Sequence, residues 1–341
     1  MKEIAMGVLG GGRMAWEHCR QIVDTPGLQL VGVSSRSAAA RRSVGEQFPG
    51  VRLYPDHEEL LSASEIQWVV ITTFTNEHKE WALKGLEQGK NLIIEKPITV
   101  TASDSEEIFS AAEKRSLTVT VHQNRRWDKD FELIKSILKD ELIGDVYRIE
   151  SRVCYSSEAW AGWGAEGMEN PWRLKRTYGG GILSDWGSHL FDQLVTGVSS
   201  RIEQVYGRLE YRVWSKEVED HFYADTRLED GRSAWVEASN NHSLSLPRWF
   251  LTGTKGTLTV SGGTPDQWNL ATLRRPYRNF SRVEHIDIHQ DEFSPGFYTD
   301  FASKAQKGEP PAVRRGEVVL VSRIIDAIRE SSQTRRVVEI G

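Results

Sequence analysis

The sequence predicts two folding units in series. Residues 1–123 form a doubly wound parallel α/β sheet, and residues 124–341 form an α+β unit built on an open antiparallel sheet. Three observations carry this expectation. Up to residue 123, short and nearly continuous apolar runs alternate with segments of helical spacing, the pattern of strands buried on both faces. Beyond it the runs lengthen and alternate, with turn signals Glu229-Asp230-Gly231 and Thr254-Lys255-Gly256 between neighbours. A chain of 341 residues gives each unit enough length to bury a core of its own.

In the first unit the strands are Ile4–Leu9, Leu28–Val33, Val51–Tyr54, Trp68–Thr73, Asn91–Ile94 and Leu117–Val121. Segments of helical spacing separate them: Arg13–Val23, Ala38–Phe48, His57–Ser62, Glu77–Gln88 and Ser103–Lys114. A helix over Asp128–Asp140 then leads into strands Val146–Tyr155, Ile202–Val213, Phe222–Leu228, Ser233–Ser239, Trp249–Leu251 and Thr257–Val260. A glycine-led helix, Gly180–Val195, interrupts this sheet, and helices Gly296–Gln306 and Glu317–Ser331 close the chain. The basic tract Arg274-Arg275-Pro276-Tyr277-Arg278 reads as a solvated loop or edge.

Composition excludes several classes of partner. Hydrophobic residues make up 39% and charged residues 27%, the balance of an ordinary globular protein. A net charge of −5 without a run of five or more like charges argues against nucleic acid and anionic membranes. No apolar run approaches the roughly 20 residues of a membrane helix. Met1–Ala5 leads almost directly into the first strand, so no signal peptide is expected there. Cys19 and Cys154 fall in different units, which fits a reduced, cytoplasmic protein.

The chemistry begins at Gly10-Gly11-Gly12-Arg13-Met14-Ala15, a G-x-G-x-x-A pattern between a strand and a helix. Gly10 permits the tight turn, Gly12 allows a pyrophosphate to approach the backbone, and the helix N-terminus favours its charge. This is the fingerprint of a Rossmann unit that binds a nicotinamide dinucleotide. The second strand ends in Ser34-Ser35-Arg36-Ser37, where an NAD-binding chain normally has an acid. A hydroxyl and a guanidinium accept a 2′-phosphate, so Ser35 and Arg36 point to NADP(H), with NAD(H) as the alternative. Thr73, Asn76 and His78 follow the fourth strand, at the edge where the nicotinamide is expected. Asn76 also suits a helix N-cap, and His78 a first-turn helix residue.

Glu95-Lys96-Pro97 ends the fifth strand, and Asp185 and His189 share a helical face after Gly179-Gly180-Gly181. A lysine, a carboxylate and a histidine in these settings can manage one proton while a cofactor carries one hydride. Four tryptophans, Trp160, Trp163, Trp172 and Trp186, cluster around this stretch and suit a ligand with one apolar face and a hydroxylated rim. Arg152, Tyr155, Trp163, Trp172 and Arg173 are the other candidates for the substrate pocket. His285 and His289 face the same way on a strand-like stretch but lack a third ligand, and they read as surface residues.

The glycine fingerprint, Asn76-Glu77-His78, Glu95-Lys96-Pro97, Asn124-Arg125-Arg126 and the Asp185/His189 pair occur in one order and spacing. Together they resemble the glucose–fructose oxidoreductase/inositol dehydrogenase family (Gfo/Idh/MocA) over nearly the whole chain. The stretches His122–Asp128 and His189–Gln193 are most similar to its NADP-dependent scyllo-inositol dehydrogenase branch. The resemblance implies that Lys96 lies beside nicotinamide and substrate, with a cis peptide before Pro97. It also implies that Glu95 and Asn124 contribute to the cofactor site. By the same resemblance His189 is the general base, and Asp185 binds a substrate hydroxyl and orients the histidine. Phe74 and Trp186 depart from the common pattern and are expected to reshape the pocket.

The expected activity is hydride transfer between the cofactor and a ring secondary alcohol of a sugar or inositol-type polyol. Two other readings compete. One is a redox-assisted glycosidase using Tyr155 or Tyr178, and the other is a non-catalytic sugar or cofactor sensor. An uncovered apolar face on the second sheet predicts a homodimer or homotetramer.

Overall fold

The computed structural model describes residues 3–156, 172–198, 200–278, 280–289 and 296–341. Trp160 and Trp163 lie outside the described residues.

The first sheet has six parallel strands in the order β3-β2-β1-β4-β5-β6. They are β1 (Ile4–Leu9), β2 (Leu28–Ser34), β3 (Arg52–Tyr54), β4 (Trp68–Ile71), β5 (Asn91–Ile94) and β6 (Val119–Val121). Five crossover helices connect them: α1 (Arg13–Asp24), α2 (Ala38–Gln47), α3 (His57–Ser62), α4 (His78–Glu87) and α5 (Ala102–Lys114). The strand order reverses direction at β1 and β4, so a crevice opens at their carboxyl ends, where such sheets bind ligands. Local chemistry starts these helices: Ser37 caps α2, Asp56 caps α3 and Thr101 caps α5, each accepting a backbone N–H. Asn76 does not act as a cap. It sits exposed inside a 3-10 turn (Thr75–Glu77), and Glu77 occupies the cap position of α4.

After α6 (Lys129–Lys139), the second sheet has nine strands in the order β14-β13-β12-β11-β7-β10-β9-β8-β15. The central ones are β7 (Val146–Cys154), β8 (Ile202–Glu210), β9 (His221–Leu228) and β10 (Ser233–Ser239). The others are β11 (Trp249–Gly253), β12 (Gly256–Val260), β13 (Leu270–Tyr277), β14 (Phe280–Asp287) and β15 (Val338–Glu339). Helix α7 (Ser188–Gly197) and α9 (Arg315–Thr334) contribute Leu190, Phe191, Ile324 and Ile328 to the core on one face of this sheet. The sheet is mixed, because β10 pairs with β7 in parallel while all other pairs are antiparallel. The long excursion through α7, β8 and β9 between β7 and β10 provides that crossover. Helix α8 (Gly296–Lys307) and the start of α9 return to the first sheet, where Phe297, Tyr298, Phe301, Val318 and Val319 join its core.

The basic tract is not a loop. Arg274–Tyr277 lie in β13, which forms an edge hairpin with β14. Pro276 is tolerated because it pairs near the hairpin end, past the β12 contacts at Ala271–Arg274. His285 lies within β14, and both it and His289 are exposed. The uncovered face of the sheet is also not apolar: it carries Arg148, Glu150, Arg152, His221, Tyr223, Trp235 and Glu237, tied together by ion pairs and aromatic stacking. No helix among the described residues is long and apolar enough to cross a membrane.

One buried charge fixes how α6, α7 and the sheet meet. Arg248 is 1% exposed, and its guanidinium donates to Ser151 Oγ at 2.7 Å and to Gln193. Its Nε lies 3.4 Å from Asp130, whose carboxylate also accepts from Trp249 Nε1 at 2.8 Å. Burial pulls the Arg248 guanidinium down to about 10, so it remains a cation at neutral pH and needs Asp130. Asp130→Ala is therefore expected to cost about 3–5 kcal/mol in urea unfolding. A loss below about 1 kcal/mol would show that the pair does not hold these elements together.

Candidate functional site

The crevice at the carboxyl ends of β1 and β4 is a cleft of about 540 Å³. Its floor is the turn from β1 into α1. Gly10 has φ +129°, and a Cβ there would meet Thr72 Oγ1 at 2.2 Å, so only glycine fits. A Cβ on Gly12 would meet nothing within 4 Å, which leaves open space above the helix N-terminus. No side chain caps α1 at Gly12, and its first turn holds no acid, so its N–H groups are available to an anion. This cradle suits the pyrophosphate of a dinucleotide.

Gly10, Gly12, Arg13, Met14, Ser35, Arg36, Thr73, His78, Glu95 and Lys96 all line the cleft. Asn76 and Asn124 are not among its lining; Asn124 sits in a 3-10 turn after β6. Arg36 is exposed and paired with Glu77 at 2.9 Å, so an acid sits beside the guanidinium that was expected to meet a 2′-phosphate. Arg41 donates to the Ser35 carbonyl and steadies that loop.

Lys96 enters the cleft at the end of β5. The Lys96–Pro97 peptide bond is cis. Its backbone is held from two sides. Lys96 N–H donates to Glu95 Oε2 at 3.1 Å, and the carbonyls of Pro97 and Ile98 lie 3.1 and 3.2 Å from His78 Nδ1. His78 Nε2 faces the Thr73 carbonyl at 3.1 Å, so this buried ring staples the β4 and β5 turns together. Burial lowers the His78 pKa against the pull of these carbonyls.

Glu95 stands on a network that motif reading did not reveal. Its Oε1 accepts from His18 Nε2 at 2.8 Å and His122 Nδ1 at 2.7 Å, and Tyr298 OH lies 2.5 Å from His18 Nδ1. Burial pushes the Glu95 carboxyl up, but His122 and His18 outweigh it and hold Glu95 well below the carboxylate range. Burial and the neighbouring His122 lower His18 to about 4.

The second half of the site comes from the segment before α7. The expected single helix over Gly180–Val195 begins instead with a π turn, Leu183–Gly187. Glu219 accepts the Leu183 N–H at 3.0 Å, and the Asp185 carbonyl accepts from Ser188 Oγ at 3.0 Å and Lys96 Nζ at 3.2 Å. Ser188 and Lys96 thus compete for the carbonyl that a regular helix would offer to His189 N–H, while Glu219 takes an N–H at the start of the turn. Asp185 Oδ1 is 2.6 Å from Lys96 Nζ and 3.5 Å from Arg173 Nε, so its carboxylate binds the two cations and acts on His189 through space.

His189 is buried, with Trp186 against its ring at 5.8 Å, and no group among the described residues pairs with its Nδ1. Burial, then the positive charges of Lys96 and Arg125, hold its pKa well below the usual histidine value. The ring is thus neutral near pH 7, and its Nδ1 is unpartnered among the described residues. Arg125, overlooked as a site residue, stacks over Trp186 at 4.6 Å and Trp268 at 5.4 Å. The Asn124-Arg125-Arg126 stretch was the available signal for it.

The remaining candidates separate cleanly. Trp172 and Arg173 line the cleft, with the Arg173 guanidinium over the Trp172 ring at 4.4 Å. Phe74 packs on Trp172 and Tyr178 and roofs this side. Tyr155 feels Asp185, Arg125 and Arg173, and burial raises its phenol pKa. Arg152 is a correction. Strand alternation puts Ile149, Ser151 and Val153 toward the helices, whereas Arg152 points to the other face and pairs with Glu150 and Glu237. Trp163 lies outside the described residues.

A histidine NMR titration tests the electrostatics without any substrate. His189 is expected to stay neutral until the pH falls well below 6.5. Arg125→Gln removes one of the depressing charges and should raise that midpoint. A His189 midpoint at or above 6.5, or one indifferent to Arg125→Gln, would contradict the assignment.

Comparison with known proteins agrees with this construction. The family model for the Gfo/Idh/MocA oxidoreductases, NAD-binding Rossmann fold, matches residues 4–123, and that for the Gfo/Idh/MocA C-terminal domain matches residues 131–259. An uncharacterized oxidoreductase of Schizosaccharomyces pombe is 30% identical, the match covering 79% of this chain and 73% of that one. The scyllo-inositol 2-dehydrogenase (NADP(+)) IolW of Bacillus subtilis is 25% identical over 98% of this chain and 95% of its own. Among solved structures, an NAD-binding protein from Listeria innocua superposes with a TM-score of 0.86 at 30% identity, covering 99% of this chain and 97% of that one. With its glycine cradle, its Lys96 at the end of β5 and both family models matched, the chain belongs to the Gfo/Idh/MocA family of oxidoreductases.

Proposed function

We propose that this protein is an NADP(H)-preferring dehydrogenase that oxidises a ring secondary alcohol of a sugar or inositol-type polyol, or reduces the matching ketone. The observation that carries the reading is the 2.6 Å contact between Lys96 Nζ and Asp185 Oδ1. It joins the nucleotide cleft to the π turn that leads into α7, the helix that carries the buried, neutral His189.

The bound nicotinamide supplies the hydride acceptor, and every other task falls to the chain. The turn at Gly10–Gly12 and the α1 N-terminus hold the pyrophosphate, with Arg13 beside it. Lys96 Nζ donates to the reacting hydroxyl and favours its ionised form, and His189 takes the hydroxyl proton. Asp185 and Arg173 hold neighbouring hydroxyls, and Trp172 and Trp186 offer apolar faces to the ring's C–H edges. IolW, a polyol dehydrogenase by name, supports the substrate class and the cofactor preference.

The nucleotide preference rests on the β2 loop, where Ser35 and Arg36 stand without an acid of their own. Glu77 opposes it by occupying Arg36. Both cysteines are buried and unpaired, which fits a reducing compartment, and cytoplasmic residence is part of this reading. Self-association is also part of it, through the charged and aromatic outer face of the second sheet. Burial raises the phenol pKa of Tyr155 and keeps it protonated near neutral pH, so little phenolate is present to act as a base and the Tyr155 route of the glycosidase alternative is disfavoured.

Initial rates of cofactor reduction over inositols, free sugars and glucosides test the reaction class. His189→Ala and Lys96→Met are each expected to lower turnover by on the order of 10²–10⁴. Near-normal turnover in either would end the assignment. Ser35→Asp should move preference toward NAD by repelling the 2′-phosphate, and Glu77→Gln should move it toward NADP by freeing Arg36. An unchanged NADP/NAD ratio in both would remove the β2 loop from cofactor selection.

A further inference from the structure

The outer face of the second sheet holds a second group of chemically reactive side chains, remote in role from the cleft. Cys154 ends β7, Glu237 lies on β10, and His242 follows β10 on a short loop. Pairing of Ser239 with Cys154 and with His221 brings the three strand ends together. The loop is pinned there by His242 N–H to the Tyr155 carbonyl at 3.2 Å and Tyr155 N–H to the Ser239 carbonyl at 3.1 Å. The Cys154 sulfur, a Glu237 oxygen and a His242 ring nitrogen all lie within 4.8 Å of one another.

We propose that Cys154, Glu237 and His242 form a zinc site with one coordination position left to water. The ligand types suit this ion: a thiolate and an imidazole select zinc over magnesium or calcium, and the three protein ligands found among the described residues leave the fourth tetrahedral corner to water. The thiolate and the carboxylate bring two negative charges to the dication, and the Arg152 guanidinium beside Glu237 is balanced in turn by Glu150. Cys154 sheds its thiol proton to water as the sulfur–metal bond forms, and no electrons move. Burial, with the Glu237 charge, keeps that thiol protonated in the free protein.

The carboxylate is already oriented for the task. Its Oε2 is gripped by Trp235 Nε1 at 3.0 Å and lies 3.3 Å from Arg152 Nε. That leaves Oε1 aimed at His221 Nε2, 3.0 Å away, and His242 Nε2, 3.9 Å away. These outer contacts are the kind that fix a metal-binding carboxylate. Zinc bonds of about 2.0–2.3 Å place its ligands roughly 3.2–3.8 Å apart, so the group must contract by about an ångström. His242 can supply that movement, since it sits on a partly exposed loop, which also gives the ion a route of entry.

A second buried trio, His18, Glu95 and His122, has similar spacing but a different state. There Glu95 Oε1 already accepts from both imidazoles, and Tyr298 takes the far side of His18. Its carboxylate oxygen is already taken by two imidazoles, although His122 Nε2 has no partner among the described residues, and the trio contains no thiolate.

The zinc inference does not rest on the hydride-transfer reading, and its readout is the metal itself. Full-length protein stripped with a chelator is titrated with Zn²⁺ against a chromophoric competitor, and separately with Co²⁺. The expected result is one equivalent of Zn²⁺ per chain and a thiolate-to-cobalt charge-transfer band. Cys154→Ser should abolish that band, and His242→Ala should weaken Zn²⁺ binding at least tenfold. His221→Ala, which removes an orienting contact, should weaken it by roughly 10–100-fold. Absence of stoichiometric Zn²⁺ binding, or binding unchanged in His242→Ala, overturns the proposal. If Cys154→Ser fails to fold, His242→Ala on the exposed loop decides alone.

Discussion

The contact between Lys96 and Asp185 is the constraint on which the site depends. It links residues 89 positions apart, one at the end of a parallel strand and the other on a π turn of the second half. Both side chains are largely withdrawn from solvent, where an ion pair gains strength and the loss of one partner leaves a costly unpaired charge. The lysine is also fixed at its backbone by Glu95 and through the His78 staple, so its ammonium is delivered from a rigid base. The π turn answers from the other side, since the carbonyl and the carboxylate of Asp185 both meet that ammonium.

Burial and the neighbouring charges set the protonation states around this contact. Burial, then the cations Lys96 and Arg125, keep His189 neutral. Glu95 lies among imidazoles and is kept ionised. An acid held charged and a histidine held neutral give a site in which proton positions are set before any ligand arrives. The aromatic walls, Trp172 under Arg173 and Trp186 under Arg125, keep the guanidinium groups flat against apolar surfaces, where their charges act at short range.

Much of this was legible in the sequence because it rests on local rules. The strand–turn–helix context of Gly10 and Gly12, the apolar strands of the first sheet and the Asp185/His189 spacing each need only a few neighbouring residues to be read. What was hidden depends on tertiary pairing. The β13–β14 hairpin carries Arg274, Arg275 and Pro276, which mask strand alternation at an edge where solvent tolerates them. Arg152 was misassigned because chemical type, and not alternation, was used to aim it. The π turn at Leu183–Gly187 arises from Glu219, Ser188 and Lys96 competing for backbone groups, and no periodicity carries that information. The partners of Glu95 come from α1, the end of β6 and α8, so nothing in the Glu95-Lys96-Pro97 motif announces them.

The most direct test of the account is isotopic. Ring-deuterated inositols and hexoses, each carrying deuterium on a hydroxyl-bearing carbon, are incubated with NADP⁺ and the protein, and the recovered cofactor is examined by NMR. The account predicts that, for at least one member of the set, a single deuterium moves from the substrate carbon to nicotinamide C4. Recovery of undeuterated cofactor across the whole set, with cofactor binding intact, would contradict hydride transfer from a polyol.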